Sequence, residues 1–191
     1  MNSGNVPKER ILLAHEPQGK GHQNIVGWSK AVYLSYSDDF FKSFHNIVNH
    51  GNKFLLSEHY LYVAYVVDEA SQEVALKVAD PNSRVYRFRD VELPLKHFKE
   101  HSYTILDSKE GQVFLHVNHH NEQSRHGNIY ISDSTGTRFS TSLLHNVRSL
   151  DGQCDFNSLQ GLEGVFLANV YDEKKLKAAL SLMDAEEEVG F

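Results

Sequence analysis

Cysteine and proline are scarce in this chain of 191 residues, and long hydrophobic runs are missing. The single cysteine, Cys154, cannot form a disulfide within the chain and leaves the redox compartment open. Four prolines against nine tyrosines and eleven phenylalanines favour strands. The longest apolar run, residues 60–67, is far shorter than the roughly 20 residues that span a bilayer. Residues 1–16 also lack the apolar core of a secretory signal, so we expect no membrane insertion by this segment.

Positive charge is also in short supply. Lysine and arginine total 19 against 25 aspartates and glutamates, which gives a formal net charge of −6. Nucleic-acid-binding proteins usually carry a basic face, so this balance argues against a nucleic-acid partner. Histidine, in contrast, is abundant, and protonating all twelve would move the formal charge from −6 to +6. Acidification below about pH 6.5 would therefore change the surface charge substantially.

Hydrophobic residues make up 40% of the chain, which is enough for a folded domain with a core. Residues 60–68 form an apolar run typical of a buried strand. Val74, Leu76 and Val78 alternate with less apolar residues, as in a half-buried strand. Further strands are predicted at residues 11–15, 28–36, 54–58, 86–88, 102–108, 112–120, 128–132, 138–144 and 162–171.

A strand that runs into a tight turn occurs twice, at residues 31–44 and 127–139. In each copy, small polar residues and an aromatic residue follow the strand at the same spacing. Superimposing the two aromatic residues pairs Ser37 with Ser132, Asp39 with Ser134, Phe41 with Gly136 and Phe44 with Phe139. A hairpin repeated in this way is typical of proteins built from β-repeats.

The side chains of this hairpin are predicted to be structural. Serine and aspartate can bond turn backbone groups, glycine adopts a positive φ, and the aromatic ring inserts into the sheet. Phe41 stands where glycine is expected, and Ser134 stands where aspartate is expected. We therefore predict a role in holding the fold, and none in catalysis, for Ser37, Asp39, Phe44, Ser132, Gly136 and Phe139.

The order of strands and hairpin appears at residues 54–93 and again at 102–147, a repeat of about 40 to 50 residues that matches one propeller blade. We predict an all-β fold, a partial β-propeller with three to four blades of four-stranded antiparallel sheet. The propeller part is expected to cover residues 1–171, with hairpins at 31–44, 78–88 and 127–139. Residues 172–191 are predicted to be a charged, helix-prone tail.

Hairpins of this Asp-box type occur in sialidases and in the ten-bladed propeller of sortilin-type vacuolar protein sorting receptors. Longer strings resemble the sortilin family in particular, in the family's order, over nearly all of residues 9–171. They are SDDFFKS (37–43), GNKFLLSEHYLYVA (51–64), SYTILDSKEGQVFLHVNH (102–119), GNIYISDSTGTRFSTSL (127–143) and DFNSLQGLEGVFLANV (155–170).

The resemblance implies the middle blades of a receptor that binds peptide or protein cargo in the Golgi and endosomal lumen. Such receptors carry the cargo from the Golgi toward endosomes, vacuoles or lysosomes. The full receptor has a signal peptide, a cysteine-rich module and one membrane span, and this chain resembles none of these three parts. The resemblance implies neither a cofactor nor catalysis.

The resemblance also implies a site for a cargo peptide's C-terminal carboxylate inside the propeller. Its tyrosine and isoleucine match Tyr103 and Ile105, and an aromatic wall position matches Tyr62. The family's serine falls on Ala64, and its arginine falls near residues 73–74, which are glutamate and valine. Without the guanidinium fork, bidentate carboxylate recognition is lost. The three matching residues could equally be blade core.

Four histidines cluster at His116, His119, His120 and His126. Their spacing does not predict a metal site, because no thiol or carboxylate pair accompanies them. They could sense pH, since protonation near pH 6 would alter a bound partner's surroundings in an acidic compartment. Solvated loop histidines are the simpler interpretation.

Two other functions stay open at this point. An Asp-box glycoside hydrolase of the sialidase kind would need three inward arginines and a tyrosine nucleophile with a carboxylate partner. Most of the seven arginines here lie in turns or at polar strand starts. The chain could also be a truncated product without independent function, because an open arc of blades leaves sheet surfaces uncovered.

Overall fold

The computed structural model describes residues 10–15, 32–68, 70–71, 73–95, 98–99, 103–109, 111–118, 124–149, 153–175 and 177. This part of the chain is built almost entirely of antiparallel strands, and the prediction of an all-β fold is confirmed. The strands are β1 (Ile11–His15), β2 (Val32–Ser37), β3 (His45–Leu56), β4 (Leu61–Asp68), β5 (Glu73–Ala79), β6 (Arg89–Asp90), β7 (Phe98–Lys99), β8 (Tyr103–Lys109), β9 (Gln112–Val117), β10 (His126–Ser132), β11 (Phe139–Val147), β12 (Phe156–Ser158) and β13 (Phe166–Ala168).

The chain divides into two compact units, of which the first contains residues 1–101 and 132–139. Its strands follow the order β1-β2-β3-β4-β5-β6, and β7 also pairs with β5. The long strand β3 changes partner along its length: residues 45–51 pair with β2, and residues 51–56 pair with β4. His50 lies just before this change and adopts a left-handed φ of 59°. The strand predicted at residues 54–58 is therefore the end of a longer strand that begins at His45 and joins two ladders.

The core of the first unit lies on β4. Its first four residues, Leu61 to Ala64, are all buried, so this strand is covered on both faces. Leu34 of β2 packs with Leu61 and Val63, and partly buried hydrophobic residues surround this cluster. Burying a Leu or Val side chain stabilises a fold by about 1.5–3 kcal/mol, so β4 anchors the sheet. The alternation along β5 is confirmed, because Val74, Leu76 and Val78 are buried and the residues between them are half-buried.

The second unit contains residues 102–131 and 140–191. Its four-stranded sheet has the order β11-β10-β9-β8, and β12 and β13 form a separate hairpin. β9 is buried from Val113 to Val117. Phe114 on β9 contacts Phe156 and Phe166 of the hairpin, with ring centroids 5.1 and 4.6 Å apart. This aromatic cluster joins the hairpin to the sheet within the unit.

Two strand predictions were wrong. Residues 162–171 were predicted as one strand, but only Phe166–Ala168 is extended. Gly161 and Gly164 have φ values of 83° and 71°, so they turn the chain instead of extending it. Residues 86–88 also form no strand, and the extended segment there is β6, which starts at Arg89.

The described part of the predicted tail is helical at residues 173–175 and 177. The carboxylate of Asp172 accepts the backbone N–H groups of Lys174 and Lys175 at 2.9 and 3.1 Å, as an N-cap does. Glu173 and Lys177 form an ion pair one turn apart. The rest of the tail lies outside the described residues. Among the helical residues that are described, none belongs to a helix long and apolar enough to cross a membrane.

Candidate functional site

The first hairpin turn is held by hydrogen bonds around Ser37, which is buried at the end of β2. Its hydroxyl accepts the backbone N–H of Phe41 at 2.8 Å and donates to the Asp39 carboxylate at 2.9 Å. The same carboxylate accepts the hydroxyl and the backbone N–H of Ser43 at 2.7 and 2.9 Å. These bonds stabilise the charged form and lower the pKa of Asp39 to about 2.

Two phenylalanines in this turn adopt left-handed backbone angles. The φ values of Phe40 and Phe41 are 56° and 64°. For residues with bulky side chains such angles cost about 1–3 kcal/mol each, and they persist only where other contacts fix them. The bonds from Ser37 and Asp39 supply those contacts, which is how Phe41 can occupy the position where glycine was expected. Both rings are exposed, at 67% for Phe40 and 41% for Phe41.

The aromatic residues of the two hairpins differ in burial. Phe139 is buried, whereas Phe44 is 45% exposed. The ring of Phe44 contacts the His15 ring edge-on at 6.0 Å. The expectation that the aromatic ring inserts into the sheet is therefore wrong at Phe44.

In the second hairpin the turn carboxylate comes from Asp133, one residue before Ser134. Its Oδ1 accepts the backbone N–H groups of Thr135, Thr137 and Arg138 at 3.1 to 3.3 Å. The prediction that Ser134 replaces the aspartate was therefore wrong. Asp39 accepts the backbone N–H of the residue four positions later, Ser43, and Asp133 accepts that of Thr137 in the same way. This shared spacing of four residues could have identified Asp133 as the carboxylate of the turn.

The second turn belongs to the first unit, and side chains at or near β4 and on β6 of the same unit bind its backbone. The hydroxyl of Tyr62 donates to the Gly136 carbonyl at 2.6 Å, and the hydroxyl of Tyr60 donates to the Ser134 carbonyl at 2.9 Å. Arg89 donates to the Thr135 carbonyl at 3.0 Å. Gly136 itself has a φ of 69°, and a Cβ there would lie 2.6 Å from the Tyr62 hydroxyl oxygen. The Phe139 ring completes the contact against Tyr62, edge-on at 6.2 Å.

The predicted peptide-binding residues lie on two strands. Tyr62 is on β4 in the first unit and is only 1% exposed. Burial raises the pKa of its hydroxyl, which is already engaged by Gly136. Tyr103 and Ile105 lie on β8 in the second unit. Tyr103 is also buried and pairs with Val117 of β9, and Ile105 pairs with Leu115 of the same strand. Tyr103 and Ile105 thus share a strand, and Tyr62 belongs to the other unit.

The position aligned with the family's serine lies near Tyr62 on β4, whereas the arginine position lies toward the other end of the ladder, where Val74 and Glu73 pair with Val66 and Asp68. Ala64 is buried two residues along β4, opposite Leu76 of β5. Val74 is buried on β5, and Glu73 is half-buried at the start of that strand. These three positions supply one carboxylate and no guanidinium.

Two of the four clustered histidines lie within strands. His116 is fully buried on β9, with its imidazole against the backbone of Gly127. His126 is buried at the start of β10, and its Nδ1 lies 3.2 Å from the Ser124 hydroxyl. The interpretation as solvated loop histidines is wrong for both. His119 and His120 lie outside the described residues, and the pH-sensing role stays a prediction.

The described residues contain no group of three or more His, Cys, Asp or Glu side chains placed to hold a metal ion.

Arg10 was not among the residues predicted to have a structural or functional role. Its guanidinium forms a bidentate pair with Asp38, donates to the Arg84 carbonyl at 2.9 Å, and lies 4.0 Å from the centre of the Tyr36 ring. It also lies 5.1 Å from the Tyr86 ring. An arginine directly before an apolar strand was the only sequence signal. This cluster ties β1 to the first hairpin.

Comparisons with known proteins assign the sequence to one family. A family model described as "Sortilin, neurotensin receptor 3" (Sortilin-Vps10) matches residues 4–186. The chain belongs to the Sortilin-Vps10 family. Within that family, the strands described above are those of a partial β-propeller of the Vps10 domain.

Curated relatives carry the name Vacuolar protein sorting/targeting protein 10. The protein from Lodderomyces elongisporus is 35% identical over 76% of this chain, and the one from Schizosaccharomyces pombe is 34% identical over 80% of it. The Debaryomyces hansenii protein is 29% identical over 83% of the chain. In each case the match covers 10% of the relative, so the chain spans about a tenth of the length of these Vps10 proteins.

Proposed function

We propose that this chain is a non-catalytic, cargo-binding segment of a Vps10-type sorting receptor. The receptor would carry peptide or protein cargo from the Golgi toward endosomes and the vacuole or lysosome, with this segment in the lumen. The observation that carries the proposal is the family match over residues 4–186. The printed name of the relatives, a vacuolar protein sorting/targeting protein, supports the same direction of transport.

The proposed boundaries place the propeller segment at residues 1–171 and a separate tail at 172–191. The N-cap at Asp172 supports this division, because strand pairing gives way to helical backbone there. The last described backbone bond of the strand region runs from the Tyr171 N–H to the His145 carbonyl at 2.9 Å.

We propose that peptide cargo contacts β4 and β8, around Tyr62, Tyr103 and Ile105. Each strand contributes an aromatic residue to this proposal, Tyr62 in the first unit and Tyr103 in the second. Because Ala64, Glu73 and Val74 stand at the family's serine and arginine positions, this chain would recognise peptide side chains and not a free C-terminal carboxylate.

A matched pair of peptides tests this recognition. One hydrophobic peptide carries a free C-terminal carboxylate, and the other carries a C-terminal amide. Fluorescence anisotropy with the full chain should give equal affinities for the two. Weaker binding of the amide would contradict the proposed recognition, and failure to bind any peptide would favour a chain without independent function.

A gain-of-function variant sharpens the test. Ala64→Ser combined with Glu73→Arg restores the family's pair of groups and should create a preference for the free carboxylate. Glu73→Gln is the control, because it removes the negative charge without adding a guanidinium. If Glu73→Gln gained the same preference for the free carboxylate, loss of the negative charge would explain the result, and the bidentate geometry of arginine would not.

The geometry of Tyr62 gives no support to the glycoside hydrolase alternative. A tyrosine nucleophile needs a lowered pKa and an adjacent base. Burial instead raises the pKa of Tyr62, and its hydroxyl donates to a backbone carbonyl.

A further inference from the structure

Two exposed apolar features in the described residues have no part in the proposed function. The aromatic tip is the first hairpin turn, made of Phe40, Phe41, Lys42 and Phe44. The leucine loop is the turn at residues 159–165 between β12 and β13. The first belongs to the first unit and the second to the second unit.

The aromatic tip presents phenyl rings on a backbone that glycine would adopt more easily. Phe40 and Phe41 follow each other with left-handed φ values, and the bonds from Ser37 and Asp39 hold them there. The turn geometry therefore does not explain why phenylalanines stand at these two positions. Strained backbone that other contacts fix is typical of functional positions. Contact with a partner would explain the exposed rings.

The leucine loop forms a depression of about 430 Å³. Gly161 and Gly164 turn the chain back on itself, and the Leu159 N–H donates to the Val165 carbonyl at 2.9 Å to close the loop. Leu162 and Val165 line the depression and are exposed. Glu163 is the only charged residue between positions 156 and 171. The loop is thus a recess of mixed polarity, with exposed leucine and valine side chains and a single carboxylate.

We propose that copies of this chain associate head to tail, with the aromatic tip of one copy docked in the leucine loop of the next. The phenyl rings of the tip would cover Leu162 and Val165. The tip's cation, Lys42, complements the loop's single carboxylate, Glu163. The carboxylates beside the tip do not oppose this pairing, because Asp38 is engaged by Arg10 and Asp39 accepts bonds from Ser43.

The geometry of this contact has a definite consequence. Because the tip and the loop are different surfaces, each docked pair leaves one tip and one loop available. Contacts of this heterologous kind close into a ring where the rotation between copies allows it and otherwise extend as an open series.

Sedimentation velocity of the full chain over a wide concentration range tests the proposal. The wild type should form a concentration-dependent series of oligomers. The double variant Phe40→Gly/Phe41→Gly removes the rings and suits the left-handed backbone, so it should stay folded. It should associate about tenfold more weakly or worse, the usual effect of removing buried aromatic anchors. Phe54→Ser removes an exposed ring of β3 outside the tip and should leave association unchanged.

A mixing experiment separates this contact from a symmetric one. The double glycine variant keeps an intact loop, and Leu162→Ser keeps an intact tip. Neither should associate strongly alone, but an equimolar mixture should form one-to-one complexes. Lys42→Glu and Glu163→Lys should each weaken association, and the chain carrying both should regain it.

Three outcomes would overturn the proposal. The wild type could sediment as a monomer at every concentration. The double glycine variant could associate as the wild type does. The mixture of the two variants could stay monomeric while the wild type forms oligomers, which would assign the association to another surface.

Discussion

The guanidinium of Arg10 holds both carboxylate oxygens of Asp38. Its Nε lies 2.7 Å from Oδ1 and its Nη2 lies 2.8 Å from Oδ2. The Arg10 side chain is only 4% exposed, and the Tyr36 ring covers the guanidinium plane. The carboxylate raises the pKa of Arg10, and the arginine lowers the pKa of Asp38. The pair fixes the N-terminal strand to the first hairpin, next to the aromatic tip.

We expect Arg10→Lys to lower the free energy of unfolding by about 1–2 kcal/mol, because lysine keeps the charge but cannot form the fork or stack on the ring. Urea unfolding followed by fluorescence would measure it. Arg87→Lys changes an exposed arginine and should stay within about 0.5 kcal/mol of the wild type. If both variants had equal effects, the fork would have no special role.

The lowered pKa of Asp39 predicts that the free energy of unfolding depends on pH. Its pKa is about 2 in the folded chain, against an ordinary value of 3.8. A carboxylate with a lowered pKa stabilises the fold above its ordinary pKa, and that contribution is lost as pH falls toward the folded value. The difference in unfolding free energy between the wild type and Asp39→Asn should therefore be constant above about pH 5 and shrink between about pH 4 and pH 2. A difference that stayed constant down to pH 2 would contradict this assignment.

Much of the fold was predictable because the spacing of hydrophobic residues in the sequence agrees with the burial of those residues in the strands. The alternation around Val74, Leu76 and Val78 and the apolar run of β4 each specify a strand without tertiary information. The four-stranded order of the second unit followed in the same way. The family resemblance then placed these strands in the Vps10 domain.

What stayed unpredictable depends on contacts between distant residues. Phe41 takes a conformation that local preference assigns to glycine, and only the bonds from Ser37 and Asp39 explain it. His116 lies between Leu115 and Val117 in a predicted strand, but the sequence does not show that Gly127 of the neighbouring strand lies against its ring. A spacing pattern does not reveal such neighbours.

Cys154 should react slowly with thiol reagents while the chain is folded. Burial raises the pKa of its thiol to about 11, so little thiolate is present at neutral pH. Mass spectrometry after a brief iodoacetamide pulse at pH 7.5 should find the native protein largely unmodified and the urea-unfolded protein modified. Equal labelling in both states would show that the thiol is accessible in the folded chain.

Gly136 and Gly111 allow backbone strain to be separated from packing. Their φ values are nearly equal, 69° and 72°. A Cβ at Gly136 would collide with the Tyr62 hydroxyl at 2.6 Å and with the Tyr60 ring at 2.7 Å, whereas a Cβ at Gly111 meets nothing within 4 Å. Gly111→Ala should therefore cost about 1–2 kcal/mol, the cost of a left-handed alanine. Gly136→Ala should cost a further 1–3 kcal/mol or so, because the tyrosines that bind this turn must move.

Chemical denaturation of the two alanine variants gives both values. Tyr62→Phe/Gly136→Ala tests the cause, because removing the hydroxyl relieves the shortest collision and also removes the bond to the Gly136 carbonyl. If packing sets the cost, adding Gly136→Ala to the Tyr62→Phe background should destabilise less than adding it to the wild type. Equal costs in the two backgrounds, or equal costs for Gly111→Ala and Gly136→Ala, would mean that the turn is not clamped by these tyrosines.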